Sequence, residues 1–232
     1  MYLYGLVILT LIFSMWAQFY VNSTFNKYSK VPTNSGMTGF DAARLILDTF
    51  GLRNVTIERI AGNLTDHFDP RTNTIRLSES VYGASTVAAL GVAAHEAGHA
   101  VQHSVGYFPI KLRMAIIPVC NIGSRLAIPL ILIGMLIGTG AESDVGYIIA
   151  MAGVVGYGLL AFFQLVTLPV EFNASARAIR ALDKHSSMSD SELAGSRKVL
   201  SAAALTYVAA FFASLVQFLR LFLIVSGSRR RD

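Results

Sequence analysis

Charge is scarce in this chain of 232 residues: Asp, Glu, Lys and Arg make up only 14%, against about a quarter in ordinary soluble domains. That deficit argues against a freely soluble globule. Cysteine is nearly missing. Cys120 stands alone inside an apolar stretch, which excludes an intramolecular disulfide and leaves packing as the thiol's expected role. No internal repeat is present. Hydrophobic residues, by contrast, reach 53% with a mean hydropathy of +0.54, and they fall in long runs that a soluble core does not need. The net charge of +5 and pI near 9.5 would raise nucleic acid as a partner of a soluble protein. Here Lys and Arg sit in loops beside apolar runs, where they orient a membrane protein, so no nucleic acid is expected.

Residues 1–21 carry no charge and match one bilayer thickness as a helix. Tyr2, Tyr4, Trp16, Phe19 and Tyr20 sit at its two ends like an interfacial belt. A cleaved signal peptide is the weaker alternative, because a basic leading region and a clear cleavage site are missing. Three more apolar stretches cover about 115–139, 145–168 and 201–225. Together these predict a mainly α membrane protein with about four transmembrane helices.

Residues 22–112 are mixed in polarity and rich in turns. Phe40, Ala43, Leu47 and Phe50 recur at helical spacing before Gly51. Val55 and Ile57 fall on one face of a strand, and Asp69-Pro70-Arg71-Thr72-Asn73 is turn chemistry joining His67-Phe68 to Thr74–Leu77. Either strand could pair with an extended substrate; a plain structural hairpin is the equal alternative. A helix follows from about Ser85 to His103. The expected organisation is a first span (1–21), a small α+β domain (22–112), a membrane hairpin (113–170), a helix and polar loop (171–200), and a fourth span with a basic tail (201–232). Ser189-Asp190-Ser191-Glu192 fits a capping box opening the last helix.

The chemistry lies in Val92-Ala93-Ala94-His95-Glu96-Ala97-Gly98-His99-Ala100, a His-Glu-x-x-His match on a predicted helix. Residues four apart share a helical face, so His95 and His99 can offer imidazole nitrogens to one metal ion. Glu96 is turned by about 100° and is expected to act on water rather than on the metal. Zinc lowers the pKa of water, and Glu96 can take the proton and later pass it to the leaving amine. Catalytic zinc wants three protein ligands and an open position. His103 lies one turn beyond His99, but one helix cannot easily supply three such ligands to a tetrahedral ion. The best third ligand is Glu171, in Leu168-Pro169-Val170-Glu171-Phe172-Asn173-Ala174-Ser175, just past the third apolar stretch. Two spans between it and the histidine helix return the chain to the same side. A carboxylate capping a helix start after Pro169 is the bland reading of Glu171.

GVAAHEAGHAVQH, the upstream DHFDPRTNTIRLS and LPVEFNASARA together resemble the bacterial YugP-like neutral zinc metallopeptidases. The resemblance covers nearly the whole chain, including the order of spans. It implies a gluzincin-type membrane peptidase holding one Zn2+ through His95, His99 and Glu171, with Glu96 as base, in a bacterial plasma membrane. More distantly the chain is similar to HtpX and the CAAX prenyl proteases. In those relatives an Asp four residues after the ligand Glu supports a ligand His; here that position is Ser175. Asn173, Ser175 and Asp66 are therefore the candidates for orienting the imidazoles. His67, Arg177 and Tyr207 are the candidates for contacting substrate or a developing oxyanion.

Nine Lys and Arg fall in 22–113 and five in 171–200, whereas 139–144 has Glu142 and Asp144 but no Lys or Arg. The positive-inside rule then puts the site on the cytoplasmic side. Arg229-Arg230-Arg231 disagrees, since it follows the fourth stretch and would lie outside. The expected function is an endopeptidase cutting membrane or membrane-proximal proteins. Site-2-type proteolysis would need an Asp ligand from a membrane helix, and 145–168 and 201–225 contain none. A non-catalytic membrane adaptor with a structural metal site is the alternative of a different class, and an intact Glu96 argues against it.

Overall fold

The computed structural model describes residues 2–138 and 144–228, without the side chains of residues 2, 3 and 228. Glu142 and the Arg229-Arg230-Arg231 tail, which enter the orientation argument, lie outside the described residues, as does the Tyr2 ring of the expected belt. In chain order the elements are α1 (Tyr2–Tyr28), α2 (Gly39–Thr49), β1 (Thr56–Ile60), β2 (His67–Asp69), β3 (Thr74–Ser78), α3 (Glu79–Tyr82), α4 (Val87–Ser104), α5 (Phe108–Ile137), α6 (Asp144–His185) and α7 (Asp190–Ser228). Among the described residues, four helices (α1, α5, α6 and α7) are long and apolar enough to cross a bilayer.

The chain divides into two compact units. One comprises the chain up to Trp16, Leu112–Leu168 and the chain from Tyr207 onward. Here α5 and α6 pack through small residues: Gly153 lies against the Ala127 backbone and Gly156 against Gly123, with no room for a side chain. Such contacts let helices associate where lipid offers no hydrophobic driving force. Ile131, Val154, Leu221 and Val225 form the buried centre, while Leu132, Leu136, Ile148, Val155 and Phe222 are exposed. An exposed apolar rim of that kind suits lipid rather than water.

The other unit comprises Ala17–Lys111 and Pro169–Thr206. Its sheet has the order β1-β3-β2. The expected hairpin is present, with His67, Phe68 and Asp69 of β2 opposite Arg76, Ile75 and Thr74 of β3. The Asp69 carboxylate accepts from the Arg71 N–H at 3.0 Å and from Arg76 Nη1 at 3.2 Å, closing the turn. Parallel pairing of β1 with β3, which local sequence does not announce, leaves β2 on an edge.

α2 starts with a capping box between Thr38 and Asp41 and ends before Gly51, whose φ of +72° favours glycine. α4 is the centre of the unit. It is rich in alanine and buried on nearly every side, and Thr86 caps its start by accepting from the Ala89 N–H. Leu90, Ala93, Ala97 and Val101 of α4 join Ile46 and Leu47 of α2, Ile75 and Leu77 of β3, and Ala178 and Leu182 of α6 in one core. Gly98 brings α6 close: a Cβ there would stand 2.7 Å from the Ala174 carbonyl oxygen. At the start of α7, Glu192 accepts from the Ser189 N–H at 2.6 Å, Ser189 Oγ accepts in return from the Glu192 N–H, and the Asn34 N–H also donates to Glu192.

Candidate metal centre

α4 carries the two histidines one turn apart, with ring centroids 4.7 Å apart and planes nearly perpendicular. α6 brings Glu171 between them. Glu171 Oε2 stands 3.2 Å from His95 Nε2 and 3.6 Å from His99 Nε2. Donor atoms of all three residues fall within 4.8 Å of one another. Zinc–nitrogen and zinc–oxygen bonds of about 2.0–2.1 Å make the edge of a tetrahedral site roughly 3.3 Å, so the two measured edges fit one zinc ion. The chemistry fits as well: two neutral imidazoles and one carboxylate form a charge-poor donor set that still accepts several divalent metals.

A carboxylate that is 2% exposed needs strong partners, and in the bare protein the imidazoles supply them. Burial opposes charge on His99, but the hydrogen bond and charge of Glu171 outweigh it, with further help from Glu96 and Gln102, and the His99 pKa rises above the ordinary 6.5. Glu96, next along α4, is buried at 7% exposure, and its charge is felt at both His99 and Asp66.

The residues proposed to orient the imidazoles separate into three situations. Ser175 Oγ lies 3.1 Å from His95 Nδ1, a direct contact. Asn173 touches neither histidine; its Oδ1 accepts from Gln102 Nε2 at 3.0 Å and from Arg177 Nε at 2.7 Å. Asp66 is elsewhere in its bonding: it accepts from the Ser78 N–H at 2.7 Å and from Ser78 Oγ. Burial, and secondarily the nearby Glu96 charge, raise the Asp66 pKa above 3.8 against those hydrogen bonds.

Among the substrate-contact candidates, His67 is exposed on edge strand β2, with Nδ1 2.9 Å from the Thr65 carbonyl. Arg177 is held by Asn173 and stacks over Tyr107, 5.9 Å from the ring centroid. Tyr207 belongs to the first unit. His103 packs beside Phe68, ring to ring at 6.0 Å, outside the ligand group. Sequence reasoning missed Gln102, which contacts His99 Nδ1 through Oε1 at 3.0 Å. Its signal was the i, i+3 spacing from His99 on a helix whose neighbours are apolar.

Two part-buried histidines and a buried Glu close to zinc spacing on a mostly helical chain define a class, and the whole sequence agrees: residues 3–226 match the family described as "Putative neutral zinc metallopeptidase", and the chain belongs to that family. It is 48% identical over 224 residues to "Putative membrane protease YugP" of Bacillus subtilis (strain 168), covering 97% of this chain and 96% of that one. No solved structure matches it.

Proposed function

We propose that this protein is a membrane-embedded zinc endopeptidase of the gluzincin type, cutting membrane or membrane-proximal proteins. The observation that carries the reading is the approach of Glu171 Oε2 to His95 Nε2 and His99 Nε2 at about the edge length of a tetrahedral zinc site, with donor atoms of all three residues within 4.8 Å of one another. His95, His99 and Glu171 would hold one zinc. A zinc ion there supplies a Lewis acid that polarises a carbonyl and makes water more acidic near neutral pH. Glu96 takes the proton from the attacking water and returns it to the amine as the peptide bond breaks. Low exposure of Glu96 supports that role, because a base works best where bulk water is excluded.

Substrate access has two supports. Strand β2, which carries His67, lies at an edge of the sheet, where an extended peptide could pair. A cavity of about 670 Å3 beside the site is walled by Phe172, Ile179, Leu200 and Leu205 together with Arg180 and Arg197, a mainly apolar lining with two cationic groups. Clustering of Lys and Arg in 22–113 and 171–200 supports a cytoplasmic site in a bacterial plasma membrane.

The test is zinc content and peptide cleavage on detergent-purified wild type, His95→Ala, Glu171→Ala and Glu96→Gln. Wild type should carry about one zinc per chain and cleave; both ligand variants should lose the metal. Glu96→Gln should keep the zinc and lose activity by at least about 10²-fold. Zinc with full cleavage in Glu96→Gln would remove Glu96 as the base. Zinc without cleavage in every sample would favour an adaptor with a structural metal.

A further inference from the structure

We propose that Gln102 is the positioning residue that locks the tautomer of His99 and ties the two ligand-bearing helices together, an inference that rests on the zinc-site reading. Gln102 is completely buried, so its amide must find all its partners inside the protein. Oε1 faces His99 Nδ1 at 3.0 Å. Nε2 donates to the Val170 carbonyl at 2.8 Å and to Asn173 Oδ1 at 3.0 Å.

The direction of these bonds follows from what each group can do. A guanidinium only donates, so Arg177 Nε, 2.7 Å from Asn173 Oδ1, makes that oxygen an acceptor. A backbone carbonyl only accepts, so Val170 independently requires a donor. Both neighbours therefore demand the amino group of Gln102 on the α6 side. Its carbonyl oxygen is left facing His99, and His99 Nδ1 must carry the proton. Nε2 is then the nitrogen that faces Glu171, and so the one that a metal there would take. Turning the Gln102 amide over would set its oxygen against two acceptors at once.

His95 is held differently. Its Nδ1 meets the Ser175 hydroxyl at 3.1 Å, a group that donates or accepts with equal ease. His99 is thus fixed in advance and His95 adapts. Val170 immediately precedes Glu171, so the bond from Gln102 also sets the distance between the histidine helix and the third ligand. Uncharged groups do both jobs here, whereas metal-bound histidines commonly lean on a carboxylate.

The experiment uses the full chain in detergent, with zinc as the probe. Imidazole nitrogens of wild type labelled with 15N at histidine should show His99 with a proton on Nδ1 in the metal-free protein. Gln102→Met keeps the side-chain length and loses the bonds; by chelator competition its zinc affinity should fall on the order of 10–100-fold with helical content retained. A folded Gln102→Met with wild-type zinc affinity would overturn the inference while leaving the peptidase reading intact. So would metal-free wild type in which His99 Nδ1 carries no proton, and this measurement decides the matter alone if Gln102→Met fails to fold. Failure of wild type to bind zinc at all would sink both readings together.

Discussion

Glu171 oxygen and two imidazole nitrogens packed this closely make proton and metal rivals for one place. A raised His99 pKa means that the bare site holds its proton to a higher pH than a free histidine would, and zinc must displace it. Apparent zinc affinity should therefore climb with pH through 6.5 and beyond, and weaken on acidification; a flat profile from pH 6 to 8 in chelator competition would contradict this. Asp66 carries the opposite kind of consequence, for stability. Its folded pKa is raised above 3.8, so the native state holds a proton that the unfolded chain has released. Its contribution is most favourable at low pH and is lost as pH rises from 3.8 through the folded value. Asp66→Asn keeps an acceptor for the buried Ser78 N–H and removes that loss, so it should gain in melting temperature on wild type between pH 4 and 7. Asp66→Ala removes the acceptor and should cost about 1–3 kcal/mol, measured by denaturation in detergent.

Helices decide where these residues meet. Gly98 is the point at which the backbones of α4 and α6 come together, with no space for a methyl group against Ala174. Gly98→Ala should cost about 1–3 kcal/mol by overpacking and weaken zinc binding by moving Glu171 from the histidines; an unchanged melting point would show that the helices part freely. Periodicity and turn chemistry made α2, the β2–β3 hairpin, α4 and the Ser189 cap legible in the sequence, because each depends on neighbours a few residues away. Three features were not. Parallel pairing of β1 with β3 joins distant segments without a local signature. The sequence reading places a boundary near Pro169, where the compact units do divide, but does not show that α6 runs unbroken through it. A helical proline costs about 3 kcal/mol, but Val170, Ala174, Ala178 and Leu182 recur every fourth residue as a fully buried stripe, and that tertiary burial outweighs the local preference. Gln102 was overlooked because a polar residue at the end of a helix looks like surface until its burial is known.

At the scale of the whole molecule, four apolar helices and an exposed apolar rim predict that the chain stays with the membrane through alkaline washing and leaves it only with detergent. The proposed orientation makes a separate prediction. With Cys120 replaced by Ser, a Ser187→Cys variant should resist an impermeant maleimide in intact cells and react in inverted vesicles; the reverse pattern would put the site outside. A last consequence concerns the order of synthesis. His95, Glu96 and His99 leave the ribosome early, but Glu171 follows only after all of α5 and most of the apolar length of α6. A half-made chain therefore holds Glu96 and two imidazoles without the carboxylate that completes the candidate metal group. On the proposed reading, then, the metal site can be completed only after the intervening hairpin has been made.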